Sequence, residues 1–162
     1  MFKVNDYVVY GSNGVCKVQD IEKISLRREE HEYYILSPVY NSKMTIKIPV
    51  NNKKLSLRKL MTKDEVMDLI EGISRNETVE VEDARKKIQE YKSIIKSGNA
   101  EEIIKVINSI KLEENEKASL GKKLNKTDED IMVVAKKQLY EEFAIVLKIN
   151  VDEVGDYIKN NI

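Results

Sequence analysis

The first part of this 162-residue chain is organised around Met44-Thr45-Ile46-Lys47-Ile48-Pro49-Val50. Apolar Met44, Ile46 and Ile48 alternate with polar side chains, as in a strand with one face in a core and the other in water. Pro49 has no N–H, so the strand ends there or lies at a sheet edge. An edge strand offers peptide groups to a partner's strand. The pattern therefore fits a small β-module that docks on another protein, although taken alone it favours an ordinary barrel strand.

Four further short strands are predicted around this stretch. They cover residues 7–10, 15–21, 33–36 and 55–58. Asn13-Gly14 supplies the positive φ angles of a tight hairpin, and the charged run 25–32 is predicted to be a turn. Five short strands separated by turn residues favour a small, strongly bent barrel.

The chain from residue 61 onward has the periodicity of five amphipathic helices with short connections. Helix starts are indicated by Thr62 with Glu65, by Asn99, by Thr127 with Asp130 and by Asn150. The second helix is predicted over about residues 82–96, with Ala84, Ile88, Tyr91 and Ile95 on one face and Gly98 as the stop. Val134 is predicted on the apolar stripe of the fourth helix. The polar stretch 112–126, with Gly121 in its middle, is predicted to be a loop with room for one helical turn.

The charges of the chain cancel overall, 28 basic against 28 acidic, but its two parts differ. Residues 1–60 carry 11 Lys and Arg against 6 Asp and Glu, and residues 61–162 carry 17 against 22. A protein that bound nucleic acid along its whole surface would be more basic. Any DNA contact must therefore be a local patch.

No pattern in the sequence indicates catalysis, a metal or a cofactor. There is no phosphate-binding glycine loop, no cluster of metal ligands and no Ser/His or Cys/His pairing. The single Cys16 is predicted to be a core residue, and the single His31 to be solvated. No signal segment or membrane-length apolar run is present. We expect a soluble, cytoplasmic, monomeric protein that is not an enzyme.

Several motifs of the first part carry a resemblance. Phe2-x-Val4-x-Asp6-x-Val8-Val9-Tyr10-x-x-x-Gly14-Val15 is followed by Tyr34-x-Leu36, by Thr45-Ile46-Lys47-Ile48-Pro49 and by Leu57-Arg58. Their order and spacing resemble the RNA-polymerase-interaction domain of the CarD/CdnL transcription regulators, a module related to one in the transcription-repair coupling factor. The loop Gly11-Ser12-Asn13 departs from relatives, which commonly have a Pro and a His before the glycine.

The resemblance implies a Tudor-like barrel that docks on the β subunit of bacterial RNA polymerase through an edge strand. Lys47 stands where relatives carry a basic residue at that interface, with Thr45 and the backbone of Ile46 and Ile48 alongside. Without the resemblance, the strand pattern favours an ordinary solvated residue at Lys47. The polymerase-binding residues that it implies are Thr45, Ile46, Lys47, Ile48 and Pro49.

The helical part resembles the C-terminal domain of the same family more loosely. The matching motifs are Ile94-Ile95-Lys96-Ser97-Gly98-Asn99 and Met132-x-x-Ala135-x-x-x-Leu139-x-x-Glu142-x-Ala144. Ala84 stands where many relatives carry a tryptophan that is thought to wedge into the minor groove where the duplex opens. This chain has no tryptophan. The wedge therefore does not carry over, and Val79 or Val81 is a weak candidate to replace it.

Two basic patches are candidate DNA contacts. Arg85-Lys86-Lys87 opposes the macrodipole at a predicted helix start, which a phosphate backbone would offset. A solvated face compensated by neighbouring acids explains the run as well, and the resemblance favours DNA. The predicted DNA-binding residues are Ala84, Arg85, Lys86, Lys87 and Lys92, with Lys122, Lys123 and Lys126 as the second patch.

The sequence thus predicts a two-domain α+β protein, with a small Tudor-like or SH3-like β-barrel over residues 1–60 and an all-α bundle over 61–162. The predicted protein docks on the polymerase β subunit and makes weak, sequence-tolerant contact with promoter DNA near the upstream edge of the bubble. It would modulate open-complex stability and associate with the nucleoid through RNA polymerase. The alternative is a protein-only module on RNA polymerase without DNA contact.

Overall fold

Five antiparallel strands form one sheet in the first of two units that the computed structural model contains, Met1–Leu60 and Met61–Ile162. The structure describes residues 1–52 and 57–162. The strands are β1 (Tyr7–Tyr10), β2 (Val15–Leu26), β3 (Glu29–Pro38), β4 (Ile46–Pro49) and β5 (Leu57–Lys59). Their order, β4-β3-β2-β1-β5, places β4 and β5 at the two edges. Five strands were predicted, and residues 55 and 56 of the predicted last strand lie outside the described residues.

A β-bulge keeps the core face of β2 apolar. The pairing of β2 with β3 shifts between Val18 and Asp20, so Gln19 is the extra residue. Because a bulge moves the side-chain alternation by one residue, Ile21 and not Asp20 turns to the core. Two cross-strand rows of core residues result, Val18–Leu36–Ile46 and Ile21–Tyr34–Ile48. Ile48 of one edge and Leu57 of the other pack on the same core.

The hairpin turns differ from their predictions. Between β1 and β2 the positive φ angles fall on Gly11 and Gly14, and Asn13 belongs to a 3₁₀ turn (Gly11–Asn13). The predicted turn over residues 25–32 is wrong, because β2 and β3 continue until only Arg27 and Arg28 remain between them. Both arginines have positive φ, 51° and 68°, as a two-residue hairpin requires. The prediction failed because exposed extensions of two strands, when they are rich in charged residues, have the same composition as a loop.

Met44 is not on the core face, contrary to prediction. It precedes β4, its side chain is 44% exposed, and its N–H donates to the carbonyl of Asn41 in a turn. The turn ends at Met44, and Thr45 lies between the turn and the start of the strand.

Five helices form the second unit: α1 (Lys63–Ile73), α2 (Lys87–Ser97), α3 (Ala100–Ser119), α4 (Lys126–Leu147) and α5 (Val154–Asn160). Thr62 and Asn99 cap α1 and α3 as predicted, with side-chain oxygens that accept the N–H of Glu65 and Glu102. The predicted start of α4 at Thr127 is wrong, because Asn125 accepts the N–H of Asp128 at 2.9 Å. The Asn150 side chain caps no backbone N–H, and a 3₁₀ turn (Val151–Glu153) precedes α5.

The predicted loop over residues 112–126 is wrong for residues 112–119, because α3 continues to Ser119, and it is confirmed for residues 120–125, which connect α3 to α4. The exposed last turns of α3 are joined by an i,i+4 ion pair between Glu113 and Lys117, 3.5 Å apart. Gly121, at φ 70°, then ends the helix. Its N–H and that of Lys122 donate to the carbonyls of Ala118 and Lys117, the arrangement of a Schellman motif.

The five helices share one apolar core. Each helix contributes buried residues, including Val66, Ile70, Tyr91, Ile95, Ile103, Ile110, Leu139, Phe143, Val154 and Ile158. Glu142 is buried beside this core, and its carboxylate accepts the N–H of Met61 at 3.1 Å. Val134, predicted on the apolar stripe of α4, is instead 46% exposed. Among the described residues, no helix is both long and apolar enough to cross a bilayer.

Candidate interaction surfaces

Strand β4 presents one edge of the sheet. It pairs only with β3 among the described strands, in the register Leu36↔Ile46 to Tyr33↔Pro49. Ile48 is 4% exposed and anchors the strand in the core, while Thr45 and Lys47 are exposed. The strand is therefore held on one side and accessible on the other.

The register determines which peptide groups of β4 point outward. The N–H of Val50 donates to the carbonyl of Glu32 at 3.0 Å, so Val50 faces β3. Peptide groups alternate along an antiparallel strand, and Ile48 and Ile46 therefore also face β3. Lys47 and Pro49 direct their peptide groups away from it. The outer edge thus offers the N–H and carbonyl of Lys47 and the carbonyl of Pro49, and not the backbone of Ile46 and Ile48.

The Lys47 ammonium is only loosely held. Its closest carboxylate is that of Glu22 on β2, at 3.9 Å, and the two side chains are 55% and 44% exposed. A pair at this distance and exposure contributes little to stability. The charge of Lys47 therefore remains available to a partner at the sheet edge.

A short 3₁₀ turn, Ala84–Lys86, carries the first basic patch. Asp83 caps the turn by accepting the N–H of Arg85 at 3.0 Å, and it also contacts the Arg85 guanidinium at 3.3 Å. The Arg85 side chain is 91% exposed, and Lys86 is exposed. Ala84, predicted on the buried face of a helix, lies in this turn with its methyl group exposed. The turn presents two cations and no large apolar side chain.

Lys87 differs from its two basic neighbours because two carboxylates hold it. Its ammonium donates to Glu113 of α3 at 2.9 Å and lies 3.6 Å from Asp128 of α4. Burial lowers the pKa of Lys87, but the hydrogen bond to Glu113 and the charges of Asp128 and Glu113 outweigh it and raise the pKa overall. The side chain is 24% exposed. Lys87 is therefore a charged link between helices.

The second basic patch follows α3. Lys122 and Lys123 are exposed beside an open groove of about 480 Å³, which is also lined by Leu124 and Met132. Lys126 is paired with Asp130 at 3.0 Å, and that carboxylate raises the pKa of Lys126. The two patches belong to one region of the helical unit, because Lys87 at the start of α2 contacts the first turn of α4. Lys92 is exposed on α2.

Sequence patterns did not identify Glu113 and Asp128 as partners of Lys87. Asp128 lies in the acidic run Asp128-Glu129-Asp130, which looks like a solvated helix start, yet its side chain is fully buried. The cap at Asn125 begins α4 earlier than predicted, so Asp128 is the third residue of the helix. Val79 packs against the helical core, so it is not a free apolar wedge.

Two family models match the chain. The model of the CarD-like/TRCF RID domain matches residues 2–61, and the model of the CarD C-terminal domain matches residues 65–159. No curated protein matches the chain. The two matches cover the sheet unit and the helical unit in turn.

Proposed function

The chain belongs to the CarD/CdnL family, and from this premise we propose that it is a transcription regulator that docks on RNA polymerase through its N-terminal unit. The single observation that carries the proposal is the exposed edge strand β4 inside a region that matches the RID domain. The partner would be the β subunit of a bacterial polymerase, and the sheet would close as a Tudor-like barrel. The protein would act in the cytoplasm, as a monomer, by binding and without catalysis.

Docking would occur by addition of a polymerase strand to the outer edge of β4. The N–H and carbonyl of Lys47 and the carbonyl of Pro49 would pair with that strand, and the Lys47 ammonium would contact an acidic group. Thr45 would lie at the start of the contact. Pro49 has no outward N–H, which limits how far an unwanted strand can extend along this edge.

The helical unit would contact promoter DNA through Arg85 and Lys86, with Lys92, Lys122 and Lys123 nearby. Contacts to phosphates position a protein without reading sequence, so the contact would be weak and sequence-tolerant. If it is made better in the open promoter complex than in the closed one, it shifts that equilibrium by its differential free energy. A difference of about 1.4 kcal/mol changes the equilibrium about tenfold.

A protein-only module on the polymerase is the second candidate. It is favoured by the neutralisation of three of the predicted DNA contacts, since Arg85, Lys87 and Lys126 each have a carboxylate within 3.6 Å. The exposed Ala84, in place of a large wedge, favours it as well. The two candidates share the docking step and differ only in the role of the helical unit.

The docking step is tested by Lys47→Glu. We expect binding of the full chain to the polymerase β subunit to weaken at least about tenfold, because the charge reversal costs about 1.4 kcal/mol or more at a partly desolvated contact. Lys59→Glu is the matched control, since Lys59 is an exposed lysine on β5 at the other edge. Equal binding by both variants in a pull-down or titration would place the docking surface elsewhere.

The DNA step is tested by the double variant Arg85→Glu/Lys86→Glu. We expect it to bind polymerase normally and to lose the effect on open-complex lifetime, because two phosphate contacts are removed and two negative charges take their place. The control is Lys63→Glu/Lys137→Glu, which makes the same charge change at two other exposed positions of the helical unit. Unchanged lifetimes with the first double variant would favour the protein-only module.

A further inference from the structure

The 3₁₀ turn that carries Arg85 and Lys86 has little to hold it in place by itself. It lies in the connection between α1 and α2, and none of the side chains of Ala84–Lys86 is buried. Its local bonds are the cap from Asp83, the turn bond from the Lys86 N–H to the Asp83 carbonyl, at 2.9 Å, and the bond from the Lys87 N–H to the Ala84 carbonyl. Exposed segments with few buried contacts open easily. Its direction must therefore be set by neighbouring groups.

Helix α3 holds the connection on both sides of the turn. Before the turn, Ser109 accepts the N–H of Val79 at 2.9 Å, and Asn108 donates to the carbonyl of Glu77 at the same distance. After the turn, Glu113 accepts from Lys87 at 2.9 Å. Ser109 and Glu113 are four residues apart and so share one face of α3. This face forms a support along which the connection runs.

The attachment through Lys87 differs from the others because the Lys87 ammonium also lies beside a buried carboxylate. Asp128 is 0% exposed, and neither of its carboxylate oxygens accepts a hydrogen bond from the described part of the chain. The Lys87 ammonium at 3.6 Å is the cation beside it. The other oxygen of Glu113 lies 3.5 Å from Lys117, which keeps that carboxylate oriented toward Lys87. Moving Lys87 outward would leave the Asp128 charge buried without compensation.

We infer that Lys87 is a positioning residue, which joins the start of α2 to Glu113 and Asp128 and thereby sets the direction in which the preceding Arg85 and Lys86 project. It does not itself contact DNA. The positioning of the turn stands on this structure alone, and its consequence for promoter opening rests on the proposed function.

The test is Glu113→Gln in the full chain, with Glu116→Gln as the control. Glu116 is an exposed glutamate on the same helix, so both variants remove one negative charge. The first readout is native-state amide exchange of Lys86 and Lys87 by NMR, which does not involve DNA. We expect exchange at both amides to be about fivefold faster in Glu113→Gln and unchanged in the control, because the turn opens locally. In Lys87→Arg we expect the amides of residues 86 and 87 to exchange at the wild-type rate, since a guanidinium can also pair with both carboxylates.

The second readout is open-complex lifetime with RNA polymerase, and its sign is diagnostic. Removing a negative charge near DNA strengthens binding by electrostatics alone. A positioning role predicts the opposite, a lifetime effect reduced at least about threefold in Glu113→Gln. A lifetime longer in Glu113→Gln than in the Glu116→Gln control would mean that the freed ammonium reaches a phosphate itself, and it would overturn the inference.

The two readouts separate failure of the inference from failure of the proposed function. Faster exchange without a change in lifetime would support the positioning of the turn and reject DNA contact by that turn. Unchanged exchange would overturn the inference whatever the lifetime. If Glu113→Gln is too unstable to measure, Lys87→Gln/Asp128→Asn removes both charges of this pair and leaves no charge buried at position 128, and the same acceleration of exchange is expected.

Discussion

Asp128 places a carboxylate in a fully buried position, 3.6 Å from the Lys87 ammonium of another helix. Taking an ion out of water costs several kcal/mol unless an opposite charge compensates it. Lys87 supplies that charge, and Glu113 is held by the same ammonium. Burial raises the pKa of Glu113, but Lys87 and Lys117 outweigh it and lower the pKa overall. Three helices are therefore joined by one small cluster of charges.

Lys87→Met should lower the free energy of unfolding of the full chain by about 3 kcal/mol, because it leaves Asp128 buried without its cation. Adding Asp128→Asn should restore most of the loss, since the uncompensated charge is then gone. Urea unfolding followed by circular dichroism measures both. Lys86→Met is the control and should change stability by less than about 0.5 kcal/mol, because Lys86 is exposed. Equal losses in Lys87→Met and the control would mean that the contacts of Lys87 do not stabilise the unit.

Cys16 shows the same effect of environment on a single side chain. It is fully buried in the sheet core, and burial raises its pKa from 9.0 to about 11. The thiolate is the nucleophilic form of cysteine, so at neutral pH this side chain is an inert apolar residue. Its predicted place in the core is confirmed.

At the scale of elements, helix ends are decided by individual capping residues. Thr62 and Asn99 start α1 and α3, whereas Asn125 starts α4 two residues before Thr127. That shift brings Lys126 into the helix and places Asp128, which lies beside Lys87, in its first turn. Gly121 ends α3 because it adopts a positive φ without the steric cost that a Cβ would add.

Two glycines should respond to the same substitution with opposite signs. Gly121→Ala should lower the free energy of unfolding by about 1 kcal/mol, since alanine is strained at φ 70°. Gly72→Ala should raise it by about 0.5 kcal/mol, because Gly72 lies inside α1 and alanine loses less backbone entropy on folding than glycine. A Cβ would meet nothing within 4 Å at either position, so packing does not complicate the comparison. Thermal unfolding measures both, and two changes of the same sign would contradict this account of the α3 terminus.

The β elements show how one residue controls a whole strand. Without the bulge at Gln19, strict alternation would direct Asp20 and Glu22 into the core. With it, Ile21 enters the core, and Glu22 lies on the outer face within 3.9 Å of Lys47. The bulge therefore determines both the apolar rows of the sheet and the surroundings of the Lys47 ammonium.

At the scale of the whole molecule, the two units have net charges of opposite sign and, in our proposal, different functions. The N-terminal 60 residues have a basic surplus of five, and the remaining residues have an acidic surplus of five. An acidic unit is a poor DNA-binding protein by itself. Linked to a unit that is already docked, it gains a high effective concentration at the promoter. Weak contacts from a few exposed cations are then sufficient.

Tethering predicts a concentration-dependent rescue. Lys47→Glu should have little effect on open-complex lifetime at the concentration that half-saturates the wild type, and it should recover the full effect at about 10- to 100-fold higher concentration. Arg85→Glu/Lys86→Glu should not recover at any concentration, because it still docks but lacks the second contact. Open-complex lifetimes measured over a protein titration decide this. Recovery by the double variant, with none by Lys47→Glu, would reverse the roles assigned to the two units.

The sequence by itself determined the features that depend on local periodicity and turn chemistry. The edge strand ending at Pro49, the five strands, the five amphipathic helices and two of the helix caps all follow from neighbours in the chain. The family motifs, which span both units, are likewise local in sequence.

The tertiary structure alone decided which charged side chains are exposed and which are held in ion pairs. Lys86 and Lys87 are adjacent and chemically identical, yet one is exposed and the other is held by carboxylates 26 and 41 positions away. Long-range ion pairs leave no periodic signal, because any of the chain's 28 acidic residues could have been the partner until packing selected Glu113 and Asp128.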